Sequence, residues 1–248
     1  MIARLLASLL IVTTACGGTN PGDATDSVTV FAAASLTEAF TQIAGEYEEL
    51  HGVEVRLSFG PSDGLATQIQ EGAPADVFAS ASPKWMDAVA EDPGVTDRAD
   101  FARNVLLVIV PAGDPAGIVA VDGLGGRGIK LVLAAEGVPV GDYAREMLVN
   151  AGIADEARAN VVSNEDDVKG VVQKVALGEA DAGIVYRTDV TAPVAGDLET
   201  VDVPDDVNVV AVYPIAALAG ASEHAGGFVE YVLGPGQETL RAAGFLPP

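Results

Sequence analysis

From Ser27 onward, short apolar runs rich in β-branched residues alternate with segments of helical period, and a chain written this way folds as a sheet covered by helices. The class is α/β, and the pattern predicts parallel strands. Residues 28–32 read as the first strand. Ser35-Leu-Thr-Glu38 matches a capping box, with Leu36, Ala39, Phe40, Ile43, Ala44 and Tyr47 following at helical spacing. Residues 53–59 read as a second strand, and Ser62 opens a second helix carrying Leu65, Ala66 and Ile69.

The stretch 68–80 is echoed by 175–186, with Gly72 and Asp76 answered by Gly178 and Asp181. Each reads as a helix stopped by glycine, then an acidic residue and a strand. The echo fits two similar α/β lobes, and it also fits two neighbouring units of one sheet. The apolar runs 104–110 and 207–218 are candidates for strands that cross between lobes. Two crossings make lobe I discontinuous, residues 27–104 and 212–248, and leave lobe II as 105–211, with a ligand cleft between them.

At roughly 150 residues per domain, a chain of 248 has room for such a pair. Lys and Arg number 13 against 36 Asp and Glu, a formal charge of −23, and that field repels nucleic acid and anionic membrane surfaces. No nucleic-acid partner is expected. One cysteine, Cys16, and two histidines, His51 and His224, leave no CxxC pair, no HExxH and no intrachain disulfide. No cofactor and no directly ligated metal are expected. The GxGxxG match at 123–128 leads into the apolar run 129–134, which reads as a strand, whereas a dinucleotide fingerprint opens a helix.

Arg4, the apolar stretch 5–12 and Thr13-Thr-Ala15-Cys16 follow the order of a secretory signal, and the apolar part is too short to span a bilayer. A small residue before the sole cysteine, then a polar Gly-rich stretch, looks like a bacterial lipoprotein signal. Residues 1–15 would be removed, Cys16 lipidated, and 16–26 left as a flexible tether. The protein is then exported and meets the membrane by its lipid anchor only.

The most informative feature is how the helices begin. Ser35 and Ser62 each follow a strand and open a helix, where unpaired N–H groups and the positive dipole end favour an anion. In the second half, residues 138–143 open a helix carrying Tyr143, Ala144, Met147 and Leu148, and 163–168 open another carrying Val168, Val171, Val172 and Val175. Tyr186 ends the strand 182–186, and ligands of open α/β sheets sit beyond the carboxyl ends of strands. Taken singly, each residue also has a plainer reading. A serine at a helix start is an N-cap, Val140 and Val168 are core, Tyr186 is a strand-end aromatic with a wet hydroxyl, and Glu165, Asp166 and Asp167 complement a dipole.

Taken together, Phe31-Ala-Ala-Ala-Ser35-Leu, Phe59-Gly-Pro-Ser62-Asp-Gly-Leu-Ala-Thr-Gln-Ile69, Gly72-Ala-Pro-Ala-Asp-Val-Phe-Ala-Ser-Ala81, Val138-Pro-Val-Gly-Asp-Tyr-Ala144 and Gly178-Glu-Ala-Asp-Ala-Gly-Ile-Val-Tyr186 resemble the molybdate-binding proteins of bacterial ABC importers. The resemblance implies a two-lobed type 2 periplasmic-binding fold, monomeric, that holds a tetrahedral oxyanion and passes it to an ABC permease and its ATPase. It implies hydroxyl and N–H donors at Ser35 and Ser62, backbone donors at Val140 and Val168, and a hydroxyl donor at Tyr186. Molybdenum would be held as molybdate through hydrogen bonds, with tungstate bound alike. Pro61 and Asp63 depart from the family pattern, since Pro61 lacks an N–H and Asp63 brings a carboxylate next to a ligand serine.

None of the five matched residues is charged. A cage of donors alone accepts a fully ionised oxyanion and rejects hydrogen phosphate, whose proton needs an acceptor, provided that Asp63 points away. Two alternatives stand beside this reading. One keeps the fold and changes the ligand to sulfate, phosphate or a small carboxylate. The other is a serine hydrolase, because Gly60-Pro-Ser62-Asp-Gly64 fits G-x-S-x-G and His224 follows.

Overall fold

The structure, a computed structural model, describes residues 26–248. The signal segment 1–15, Cys16 and the tether up to Thr25 lie outside the described residues. The first part of the chain runs β1 (Ser27–Ala33), α1 (Thr37–His51), β2 (Glu54–Gly60), α2 (Ser62–Gln70), β3 (Val77–Ala79), α3 (Pro83–Glu91) and the long β4 (Val95–Pro111). Then come β5 (Leu131–Ala134), α4 (Pro139–Asn150), α5 (Ala154–Asn160), β6 (Val161–Glu165), α6 (Val168–Ala176), β7 (Ala182–Tyr186) and β8 (Leu198–Val201). β9 (Val210–Leu218), α7 (Ala225–Leu233) and α8 (Gly236–Ala242) complete it.

The strands follow the order β2-β1-β3-β9-β4-β7-β5-β6, with β8 paired to β4. β1 lies parallel to β2 and β3, and β5 lies parallel to β6 and β7. The sheet is nonetheless mixed, which corrects the expectation of parallel strands throughout. β4 and β9 run antiparallel to their neighbours, because they carry the chain between two separately wound parallel units.

β4 changes partners partway along. Up to Val105 it pairs with β9, and from Leu106 it pairs with β7, then also with β8. At that point the side chain of Asn208 imitates a strand: Leu106 N–H donates to its Oδ1 and its Nδ2 donates to the Leu106 carbonyl, both at 3.0 Å. The two lobes are therefore joined where two strands pass side by side.

Alternation along β1 and β3 dictates what covers each face of the first lobe. Val28, Val30 and Ala32 point to the core shared with Phe40, Ile43 and Phe228 of α1 and α7. Phe31 and Phe78 point the other way, into a smaller cluster with Leu65, Ile69, Met86 and Val89 of α2 and α3. In the second lobe α6 packs Val171 and Val175 against the sheet. The echoed stops are real, since Gly72 and Gly178 take φ of +93° and +68°, where a side chain is strained.

Two helix starts differ from the sequence reading. Ser35 lies inside a 3-10 turn, Ala34–Leu36, and α1 begins at Thr37 without a side-chain cap, so the predicted capping box does not form. Ser163 belongs to β6, and α6 is capped by Asp167, whose Oδ1 accepts from Gly170 N–H at 2.9 Å. A carboxylate next to the helix competes better for that place than a serine four residues earlier.

Candidate functional site

Ser35, Ser62, Val140, Val168 and Tyr186 line one small cavity between the lobes, of about 20 Å³. Ala33, Ala34, Gly60, Pro61, Ala81, Val138, Pro139 and Asp167 complete its wall. Pockets for drug-sized organic ligands are roughly 300–1,000 Å³, so this one suits a smaller guest. A larger open groove lies on the outer side of the second lobe, beside α4 and α5. Its Arg145 is already occupied, donating to the carbonyls of Ala134 and Gly141 and to Asn164 Oδ1.

The cavity wall is built from ends of elements. Ser62 is the first residue of α2, buried at 1% exposure, and its Oγ accepts the Ala81 N–H at 3.0 Å. It does not cap the helix. With one lone pair taken by a group that can only donate, the serine's own hydrogen is left for the cavity. Ser35 Oγ sits 3.0 Å from the Tyr213 hydroxyl, also buried.

Val140 is the second residue of α4 and Val168 the first of α6. Helix geometry gives N–H groups at these positions no carbonyl of their own turn, and the first intrahelical bond of α4 comes from Asp142 N–H to the Val138 carbonyl. Both valine side chains are buried, at 2% and 3% exposure, so the core reading and the donor reading hold together. The start of α4 is pressed onto the end of β5. A Cβ added at Gly141 would lie 2.2 Å from the Ala135 carbonyl oxygen and 2.5 Å from that of Ala134.

Tyr186 ends β7 with its ring buried, and its hydroxyl has no hydrogen-bond partner among the described residues. Burial raises its pKa well above the ordinary tyrosine value, so the group keeps its proton. An unpartnered buried hydroxyl facing a cavity is a donor waiting for an acceptor.

Charge is kept to the margins. Asp63 is not part of the wall; its Oδ2 faces Gly137 across the cleft. Asp167 does contribute to the wall, but its carboxylate is engaged in capping α6. Pro61 precedes α2 in extended conformation and presents no N–H. His224 pairs with Asp26 at 3.7 Å and does not line the cavity with Ser62, which removes the geometric basis of a hydrolase dyad. Among the described residues there is no group of three or more His, Cys, Asp or Glu placed to hold a metal ion.

Several features around the site were not foreseen. The Trp85 indole on α3 donates to the Gly137 carbonyl in the other lobe at 2.8 Å, beside a Lys84–Asp142 ion pair at 3.3 Å. On the far side Lys169 of α6 reaches both oxygens of Glu38 on α1 at 3.0 and 2.9 Å. Lys169 also lies 3.5 Å from Asp189, a fully buried carboxylate that accepts the Tyr186 N–H at 3.2 Å. Burial pushes the Asp189 carboxyl up to about 6, against the pull of Lys169.

Residues 28–246 match the model of a family described as bacterial extracellular solute-binding proteins. The chain is 37% identical to the molybdate-binding protein ModA of Mycobacterium tuberculosis, covering 99% of this chain and 95% of that one. It is 35% identical to the ModA of Escherichia coli over 88% of each. The fold is that of the periplasmic molybdate-binding protein of Azotobacter vinelandii, with a TM-score of 0.76 at 24% identity, covering 89% of this chain and 99% of that one.

Proposed function

We proceed from the fact that the chain belongs to the bacterial extracellular solute-binding proteins, and we propose that it captures molybdate, and tungstate with it, for an ABC importer. One observation carries the ligand: two hydroxyls of Ser35 and Ser62, two helix-start N–H groups of Val140 and Val168 and the unpartnered hydroxyl of Tyr186 converge on a small cavity without a cation. A dianion held by dipoles alone keeps its own charge, and such a site selects by size and by protonation state rather than by net attraction.

We divide the molecule into lobe I, 27–104 with 212–248, and lobe II, 105–211, a reading supported by the change of partners along β4 near Leu106. On this reading each lobe brings part of the cage, and closing them removes water from the anion. Cys16 is the lipidation site, the tether 16–26 lets the lobes reach the permease and its ATPase, and the protein works as a monomer at the outer face of the cytoplasmic membrane.

Selectivity tests the ligand. Mo–O and W–O bonds are longer than S–O bonds, so sulfate leaves donors beyond hydrogen-bond range, at about 1–3 kcal/mol each. Two such donors cost sulfate on the order of a hundredfold. At about 1,000 times its dissociation constant, molybdate adds roughly 4 kcal/mol, a melting shift of about 8–16 °C for a chain of this length. Melting in equal concentrations of molybdate, tungstate, sulfate and phosphate should give that shift with the first two alone. An equal shift with sulfate or phosphate overturns the assignment.

A further inference from the structure

We propose that Lys169 is a positioning residue that clasps the two lobes together over the cavity, and that it governs how fast a bound anion leaves rather than which anion is chosen; this rests on the oxyanion reading above. Lys169 belongs to α6, in lobe II, and directly follows Val168 of the cavity wall. Its ammonium reaches both carboxylate oxygens of Glu38, at 3.0 and 2.9 Å. Glu38 stands in the first turn of α1, in lobe I, shortly after Ser35. α6 also packs against the turn Ala34–Leu36, which carries Ser35. One ion pair thus ties the segment behind a backbone donor of one lobe to the segment behind a hydroxyl donor of the other.

What sets this pair apart from an ordinary surface pair is that one partner is held in advance. An exposed ion pair gains little, because two long side chains must both be ordered to make it. Lys169 also lies 3.5 Å from Asp189 Oδ1 in its own lobe, and the Asp189 side chain is fully buried. That oxygen has no hydrogen-bond partner among the described residues, so the ammonium belongs beside it whether or not the lobes touch. Glu38 alone has to be ordered as the cleft shuts. The opposite flank is built differently: Lys84 and Asp142 meet there at one contact of 3.3 Å with both side chains more than a third exposed, beside the uncharged bond from Trp85 to the Gly137 carbonyl. The charge of Lys169 is shared between two carboxylates, and the residue is not part of the cavity wall. The clasp therefore adds holding strength without offering the anion a cation, and recognition stays with the donors of the wall.

The test is a release rate. The purified protein is loaded with radioactive molybdate and chased with an excess of the unlabelled anion, and the association rate follows from the release rate and the calorimetric dissociation constant. In Glu38→Gln release should speed up about 2- to 5-fold, the worth of one ion pair of this exposure, while association changes by less than about twofold. The ratio of molybdate to sulfate affinity should stay as in wild type, because no donor of the wall has been touched. Raising the salt should bring wild-type release toward that of the variant, since the pair is half exposed and screened. Glu38→Gln in a Lys169→Gln background should make no further difference, because the two residues act as one clasp. Where Lys169→Gln strands the buried Asp189 carboxylate and the chain folds poorly, Asp189→Asn in the same chain removes that charge, and the comparison is made there. Failure of wild type to bind molybdate sinks the oxyanion reading. Binding by wild type with unchanged release in Glu38→Gln, an altered molybdate-to-sulfate ratio, or an equal acceleration in the Lys169→Gln background overturns the clasp alone.

Discussion

The two lobes meet the cavity with different chemistry. The first offers two serine hydroxyls, Ser35 and Ser62, while the second offers the backbones of Val140 and Val168 and one phenol. A hydroxyl donor belongs to its residue and disappears with it. A backbone donor belongs to the path of the chain, so only a change in that path removes it. The same cavity is thus open to single-atom surgery at its three hydroxyls and resistant to it at its two backbone donors.

The hardest blow to the second wall comes from a residue that contributes no side chain. A methyl at Gly141 runs into two backbone carbonyls of β5 and its exit, which cannot rotate away. Gly141→Ala should therefore push the start of α4 off the sheet, take the Val140 N–H with it, and lower molybdate affinity more than about a hundredfold, as for two lost donors. Calorimetry close to wild type would mean that this wall is not fixed by the helix start.

Asp189 supports the same wall from behind, and its effect appears in pH. Its carboxyl is pushed up from an ordinary 3.8 to about 6 by burial, so between those values the folded chain holds a proton that the unfolded chain has released. The associated stability is full below about pH 4 and is lost as pH rises through 6, on the order of 3 kcal/mol in all. Urea titrations of wild type and Asp189→Asn at pH 4 and 7 should differ by up to that amount in their pH dependence. Parallel pH profiles would refute it.

Two hydroxyl deletions then sharpen the contrast. Tyr186→Phe removes a donor without a partner in the described structure, so affinity should fall about 10- to 150-fold while the ligand-free protein melts no lower. Ser62→Ala should lose affinity similarly and also strand the Ala81 N–H, lowering stability by about 1–3 kcal/mol. Equal melting of the two ligand-free variants would break the distinction. The smallest effect belongs to Val140→Ala. Losing two buried methyl groups costs about 1.5 kcal/mol of stability, yet molybdate affinity should stay within about threefold, because the N–H remains. A larger affinity loss would assign the valine side chain a direct role.

The positions now gathered at the cavity were visible in the sequence because each obeys a local rule: a serine after a strand, Pro139 at the start of an apolar helix, a tyrosine at a strand's end. Their bonding was not visible. Ser35 and Ser62 read as caps, but their partners, Tyr213 and Ala81, lie 178 and 19 residues away. Tyr213 and Asn104 sit in apolar runs that read only as crossing strands, since nothing local marks a polar tip inside such a strand. α5 was missed because Ala157 is its only buried residue, too little for an apolar stripe. The mixed sheet escaped for a similar reason, because strand direction follows from which lobe a run enters and not from its composition.

Trp85 is the only tryptophan in the chain, and its indole bridges the lobes at the mouth of the cleft. The protein therefore carries its own optical reporter. On the proposed function the lobes part to release the anion; water then replaces the Gly137 carbonyl as the indole's acceptor, and the emission of a single known fluorophore should shift with it. Capture and release become measurable in real time on the unlabelled chain, with no background from any other indole.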